Sequence, residues 1–331
     1  MYLPKTLIDK ISTSDLVKKL FDEGALEWDN STFTNWQACF VKGLFFTGLR
    51  RVSASQQAPL RFGSAVHEGI AYRLTGHTDD EAYQKALEVA TKNDLDGCLD
   101  VRRNRKTLVS LLSSYFMHCD INNCWITPVV VNGTPVVEQG FMFPLGTVSL
   151  GGLKFFPRSD FKIVWKGKLD VLERYQGELW INDHKTTTVM GEKFIDDKVR
   201  SSQMLGYTWA ARRLAEVFNE PIKGVRINAL AMRSTGFEFK SFSIPYSDMT
   251  IDAWQSETLA ACGNQIRFLD ELLSRRADEP LTLVVPNREC CVTKYGRCSY
   301  FDVCECVPRM MSQYIGDNTL FTDNTWDPLS E

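Results

Sequence analysis

Apolar positions recur every three or four residues over Ser14–Phe21, Gly63–Leu74 and Val101–His118, a spacing that predicts helices. In the last of these, Leu108, Leu111, Leu112 and Phe116 form the apolar stripe. Thr78-Asp79-Asp80-Glu81 offers a capping residue and an acidic first turn for another helix, ending near Thr91. From Pro135 the pattern turns to alternation, and Pro135–Leu145, Thr147–Phe155 and Phe161–Val164 read as strands. Gly167–Arg174 and Glu178–Asp183 read as two more, joined by a Tyr-Gln-Gly turn. A helix over Ser201–Phe218, strands over Gly224–Met232 and Phe237–Ile244, and a long helix over Met249–Arg276 follow. Beyond about Leu281 the chain is cysteine-rich and irregular. This order predicts one α/β domain across 1–331: a mainly helical region over 1–130, a core over 131–280 with a mixed sheet flanked by helices, and a cysteine-rich region over 281–331.

The chain of 331 residues is 44% hydrophobic and 24% charged, the balance of a soluble globular protein. No apolar run reaches the ~20 residues of a membrane helix. The opening MYLPKTLIDKISTSD lacks the apolar core of a signal peptide, so a cytoplasmic location is expected, with no membrane partner. With 38 Lys+Arg against 41 Asp+Glu, the net charge is −3, which argues against a protein that coats nucleic acid. Local basic clusters remain at Arg50-Arg51, Arg102-Arg103 with Arg105-Lys106, and Arg212-Arg213, and a phosphate-gripping groove needs no more than that.

Asp170 lies on one predicted strand and Asp183 at the end of the next, with Lys185 two residues on. Alternation sends Asp183 and Lys185 to one face, and Asp170 reaches that face if the strands are neighbours. Two carboxylates and an ammonium emerging beside Leu179-Trp180-Ile181 suit a hard cation such as Mg²⁺ or Mn²⁺, since unpaired charge beside a buried strand is costly. The bland alternative is a surface hairpin with ordinary charges. His67 begins a helix and is by itself more often structural than a ligand. Gln203 and Tyr207 share a helix face, as any amphipathic border pair would. Among ten cysteines, Cys290, Cys291, Cys298, Cys304 and Cys306 crowd the tail, which points to metal in a reducing compartment. A four-thiolate site there needs Cys306 or a distant partner such as Cys39, and zinc is one possible occupant. Cys98, Cys119, Cys124 and Cys262 sit in helical or apolar contexts and read as buried small hydrophobes.

Taken in order, Gly63…His67, Gly167…Asp170, Asp183-His184-Lys185-Thr186 and Gln203…Tyr207 resemble the motifs of RecB-like PD-(D/E)XK nucleases. Cys39 before the histidine helix and the cysteines after the core resemble the iron–sulfur branch that includes CRISPR-associated and AddAB-type nucleases. The resemblance implies that His67, Asp170, Asp183 and the backbone carbonyl of His184 bind Mg²⁺ or Mn²⁺, and that Lys185 positions or deprotonates a water. It implies that Gln203 and Tyr207 steady Lys185 or the DNA backbone. It also implies a structural [4Fe–4S] cluster on Cys39, Cys291, Cys298 and Cys304. The tail departs from the usual spacing, which leaves Cys290 and Cys306 open as ligands, and Ser299 stands where a proline is common. The implied activity is exonucleolytic cleavage of DNA with single-stranded ends, in recombination, repair or phage genome processing within a host cytoplasm. An endonuclease with the same site, or a binding protein built on an inactive core, are the alternatives.

Overall fold

Gln176 and Gly177 both take positive φ (52° and 81°), the pair of left-handed residues that a tight two-residue hairpin requires. They join two long strands. To name the elements used below, α1 is Ala58–Leu74, α2 Asp79–Lys92 and α3 Arg105–Asn122; β1 is Val137–Ser149, β2 Asp160–Tyr175 and β3 Glu178–Thr187. Then come α4 (Glu192–Val199), α5 (Ser202–Ala215), β4 (Ile222–Arg233), β5 (Gly236–Pro245) and α6 (Asp248–Ser274). The computed structural model describes all residues except 55–57, 99, 216–218, 276–280, 294–295, 325–326, 328 and 330–331. The expected ends of two helices, Phe218 and Arg276, and the side chain of Cys98 lie outside the described residues.

The chain divides into two compact units. One comprises Gln57–Phe141 and Gly167–Asp252. In it the strand order is β5-β4-β3-β2, antiparallel except for β3 and β4, which run parallel through α4 and α5 as the crossover. The parallel pair sets Asp183 beside Ile227 and Lys185 beside Ala229. Helices α1, α2 and α3 pack around a core that includes Val66, Ile70, Ala82, Ala86, Leu108, Leu111, Leu112 and Phe116, with Leu230 of β4. The expected stripe of α3 is therefore the buried one. Thr78 and Glu81 form a reciprocal capping box at the start of α2, whose acidic first turn the sequence predicts.

The other unit comprises Met1–Gln56, Met142–Lys166 and Ala253–Glu331. It interleaves the two ends of the chain: Tyr2–Pro4 pairs with Leu281–Leu283, and Arg51–Ser53 with Phe321–Asp323. Its strand Ala25–Trp28 runs parallel to the first half of β2, with Trp28 beside Trp165.

Several boundaries differ from expectation. The strands foreseen at Pro135–Leu145 and Thr147–Phe155 join into one strand, β1, which Gly146 does not break but which ends at Ser149, so residues 150–155 are not strand. Phe161–Val164 and Gly167–Arg174 likewise fuse into β2, where Phe161, Ile163, Trp165 and Leu169 keep the buried alternation unbroken. Helix α3 starts at Arg105, not Val101, since Asn104 is its cap and accepts the Thr107 N–H at 2.9 Å. No helix among the described residues is long and apolar enough to cross a membrane.

Candidate active site and cysteine cluster

The hairpin register pairs Val171 with Asn182, so Asp170 and Asp183 follow as neighbours on adjacent strands. Both carboxylates are buried. The Lys185 ammonium lies 2.8 Å from Asp183 Oδ1, while Asp183 Oδ2 is buried with no hydrogen-bond partner among the described residues. From α1, His67 brings Nδ1 to 3.2 Å from Asp170 Oδ2. That same oxygen accepts the backbone N–H of His184 at 2.8 Å. The His184 ring is buried, edge-on to Tyr115, and its Nε2 has no partner among the described residues. On α5, the Gln203 amide donates to the Tyr207 hydroxyl at 2.9 Å, fixing the pair the helix spacing predicts.

Sequence reasoning missed Glu138. Its carboxylate, with the ligand atoms of His67 and Asp170, completes a group lying within 4.8 Å of one another. Glu138 sits at φ 51°, a left-handed conformation uncommon for a non-glycine residue in a strand, and its carboxylate is 3.0 Å from the Lys168 ammonium. The only sequence signal was an acidic residue inside an otherwise apolar strand start, Val136-Val137-Glu138.

The electrostatics follow from burial and crowding. Burial alone would raise the Asp170 carboxyl, but the His67 charge and hydrogen bonding from His184 hold it well below the ordinary range. Burial would lower His67, yet Asp170 outweighs it and lifts the imidazole to about 9. Burial pushes Asp183 up, and Asp170 adds to that push against the opposing Lys185. Tyr207 is driven well above its usual value by burial and by both aspartates, so its hydroxyl stays protonated and able to donate. Burial and then the Lys185 charge press the ammonium of Lys198, on α4, downward. Lys198, a cation the sequence did not single out, lies over the Phe194 ring at 5.4 Å.

The imidazole of His67 with the carboxylates of Glu138 and Asp170 fits a hard divalent cation, and Asp183, whose Oδ2 is buried without a partner among the described residues, stands next to Asp170 on the adjoining strand but outside that group. His67, Glu138, Asp170 and Asp183 are the side chains that could hold one.

Several arginines of the expected basic clusters pair with local carboxylates. Arg103 bonds Asp100 at 2.7 Å and Arg105 bonds Asp96 at 2.6 Å. Arg51 bonds Asp323, and Arg212 bonds Asp248, both at 2.7–2.8 Å.

In the unit built from the chain ends, Cys39 follows the helix Asn30–Ala38 in extended conformation and is buried. The Asn287 backbone N–H donates to its Sγ at 3.3 Å, and the Asn287 amide donates to Ala38 O at 2.9 Å. Val292–Thr293 pairs with Gly296–Arg297, and this short ladder returns Cys298 to Cys291, N–H to carbonyl at 2.8 Å. Cys304 lies on the helix Phe301–Glu305. Burial, then the neighbouring thiols Cys298, Cys39 and Cys291, push Cys304 up to about 12. Burial followed by Cys39, Cys298 and Cys291 raises Cys290 to about 11. Cys306 instead donates its thiol to Val303 O at 3.1 Å. All these cysteines are free thiols; among the described residues no three of them lie within 4.8 Å of one another, wider than a single bound ion needs, while four thiols are the donor set an iron–sulfur cluster takes. Cys119 and Cys262 are buried as expected, whereas Cys124 is exposed, because it lies just past the end of α3.

The model of the PD-(D/E)XK nuclease superfamily matches residues 40–305. No curated protein matches the chain. Among solved structures, the crystal structure of a "Putative exonuclease" from Eubacterium rectale aligns over 84% of this chain and 88% of its own, with 11% identity and a TM-score of 0.47. That of SSO0001 aligns over 61% of this chain and 84% of its own, with 9% identity and a TM-score of 0.24.

Proposed function

Because this chain belongs to the PD-(D/E)XK nuclease superfamily, we propose that it is a Mg²⁺- or Mn²⁺-dependent DNA exonuclease of the RecB-like kind. The observation that carries the reading is the buried, partnerless Asp183 Oδ2 set beside Asp170, with Lys185 on the other oxygen. A divalent cation supplies charge neutralisation at the scissile phosphate and makes water a better nucleophile. His67, Asp170, Asp183 and the backbone carbonyl of His184 would hold it, with Glu138 as an added carboxylate. Lys185, anchored by Asp183, orients the attacking water and places positive charge where the phosphate becomes more anionic. Tyr207, steadied by Gln203, donates toward Lys185's surroundings or a phosphate oxygen. Cys39, Cys291, Cys298 and Cys304 would hold a structural [4Fe–4S] cluster, supported by their convergence from both ends of the chain.

The test is cleavage of end-labelled linear and of circular single- and double-stranded DNA by anaerobically purified protein, with and without Mn²⁺. Metal-dependent loss of linear DNA with circles spared is expected. Cutting of circles would make it an endonuclease, and no cleavage of any substrate would overturn the reading.

A further inference from the structure

Helix α3 ends in a Schellman motif. Asn123 takes a left-handed φ of 47°, its N–H donates to Asp120 O at 3.3 Å, and the Cys124 N–H reaches back to Cys119 O at 3.0 Å. The side chains at the two ends of this longer bond commonly meet, and an apolar pair ordinarily fills the place. Here both are cysteines. Cys119 lines one small cavity with Tyr115 and Cys124, and only 1% of the residue is exposed. Cys124 is exposed, and its thiol donates to His118 O at 3.9 Å. Both cysteines line a cavity of about 30 Å³ with Tyr115, Asn228, Phe239 and Lys240. That exceeds the ~10–15 Å³ a molecule the size of water needs, so a small peroxide can approach.

We propose that Cys119 and Cys124 are a reversible dithiol–disulfide couple, oxidised by hydroperoxides at the C-terminal end of α3. The two thiols differ in the way such a couple needs. Cys124 meets solvent and reacts first. Cys119 is buried, so the oxidant meets Cys124 first and Cys119 follows as the resolving thiol, deprotonating as it attacks. In the first step Cys124 Sγ, as thiolate, attacks one peroxide oxygen; the O–O bond breaks, and the departing oxygen leaves protonated as water or an alcohol. Cys124 is then a sulfenic acid. In the second step Cys119 Sγ attacks the Cys124 sulfur, the S–O bond breaks, and hydroxide leaves as water with the Cys119 proton. Two thiols have lost two electrons and two protons, and the hydroperoxide has gained them. The 3.0 Å backbone bond already holds the two residues together, so the new bond asks little of the chain. Excess thiol reductant restores the pair.

The test treats the full-length protein with hydrogen peroxide, alkylates it, and reads the peptide carrying both cysteines by mass spectrometry. That peptide should become two hydrogens lighter and resistant to alkylation, and should regain both alkylation sites after reduction. In Cys119→Ser the lighter form should vanish, and Cys124 should accumulate as a sulfenic acid trapped by dimedone. Cys124→Ser should abolish every peroxide-dependent change at the remaining cysteine of this peptide, with sulfoxides at the exposed Met117 and Met142 counted separately, which serves as a second reading if Cys119→Ser folds poorly. Wild-type protein that accumulates dimedone-trapped or over-oxidised Cys124 as readily as Cys119→Ser, without the lighter peptide, would overturn the proposal. The tail cysteines lie on other peptides, so neither result depends on the state of that cluster.

Discussion

The backbone N–H of His184 donates to Asp170 Oδ2 across 2.8 Å, so the main chain of β3 orients the carboxylate that His67 also reaches. A side-chain substitution at His184 leaves that bond in place. His184→Ala should lose stability, by roughly 2–4 kcal/mol for a large buried side chain, yet keep most of its cleavage rate. His67→Ala should show the reverse, a folded protein that needs far more Mn²⁺ to cleave. Thermal melts and metal titrations of the two variants separate these outcomes, and equal metal dependence would remove His67 from the site.

Lys185 is held by one Asp183 oxygen while the other faces the site unpaired. Asp183→Asn and Lys185→Ala should each lower single-turnover cleavage by at least ~100-fold, the scale of losing one preorganised electrostatic contact. Circular dichroism should show both folded. Near-normal rates in either variant would sink the mechanism.

The salt dependence of DNA binding distinguishes free charge from spent charge. Arg103 and Arg105 already bond Asp100 and Asp96, so removing Arg102, Arg103 and Arg105 together should change the slope of log K against log salt by less than about one. Lys198→Ala, which removes a cation set over the Phe194 ring, should reduce that slope by about one. The opposite ranking would place the substrate path along the arginines.

Two motif glycines should behave differently. A Cβ on Gly167 would sit 2.7 Å from Phe141 Cζ, and the Phe141 ring is buried and cannot swing aside. Gly167→Ala should cost about 1–3 kcal/mol in a thermal or denaturant melt. A Cβ on Gly63 meets only Thr186 Oγ1, at 3.8 Å, so Gly63→Ala should fold at least as well as the parent. If both destabilise equally, the steric account fails.

Cys39→Ala should lose iron, visible absorbance and thermal stability together, because it removes the thiol contributed by the N-terminal segment. Cys306→Ser should keep all three, since that thiol is turned to Val303 O. A colourless, zinc-loaded parent protein would replace the iron–sulfur assignment.

Much of the site was legible because alternation is a strong rule: it put Asp183 and Lys185 on one face, and helical spacing put Gln203 beside Tyr207. The turn at Gln176-Gly177 was legible for its chemistry. What escaped had short or non-local causes. Ala25–Trp28 is too brief to show a period and is a strand only because β2 accepts it. Glu138 reaches His67 and Asp170 through a backbone twist at its own φ, which no periodicity records. The pairing of Arg103 with Asp100, likewise, is an i,i+3 contact in a loop that no periodicity records.

The interleaving of Tyr2–Pro4 with Leu281–Leu283 and of Arg51–Ser53 with Phe321–Asp323 has a consequence for synthesis. The first strands leave the ribosome long before their partners exist. At ~5–20 residues per second the delay is roughly ten to fifty seconds. During that time Leu3, Leu7 and Ile11, each fully buried in the finished protein, have no core to enter. The early segment must therefore be sheltered, by a chaperone or by transient collapse, until Leu281–Leu283 and then Phe321–Asp323 have been made. A chain cut short before Leu281 would have opening residues that never find their partner strand.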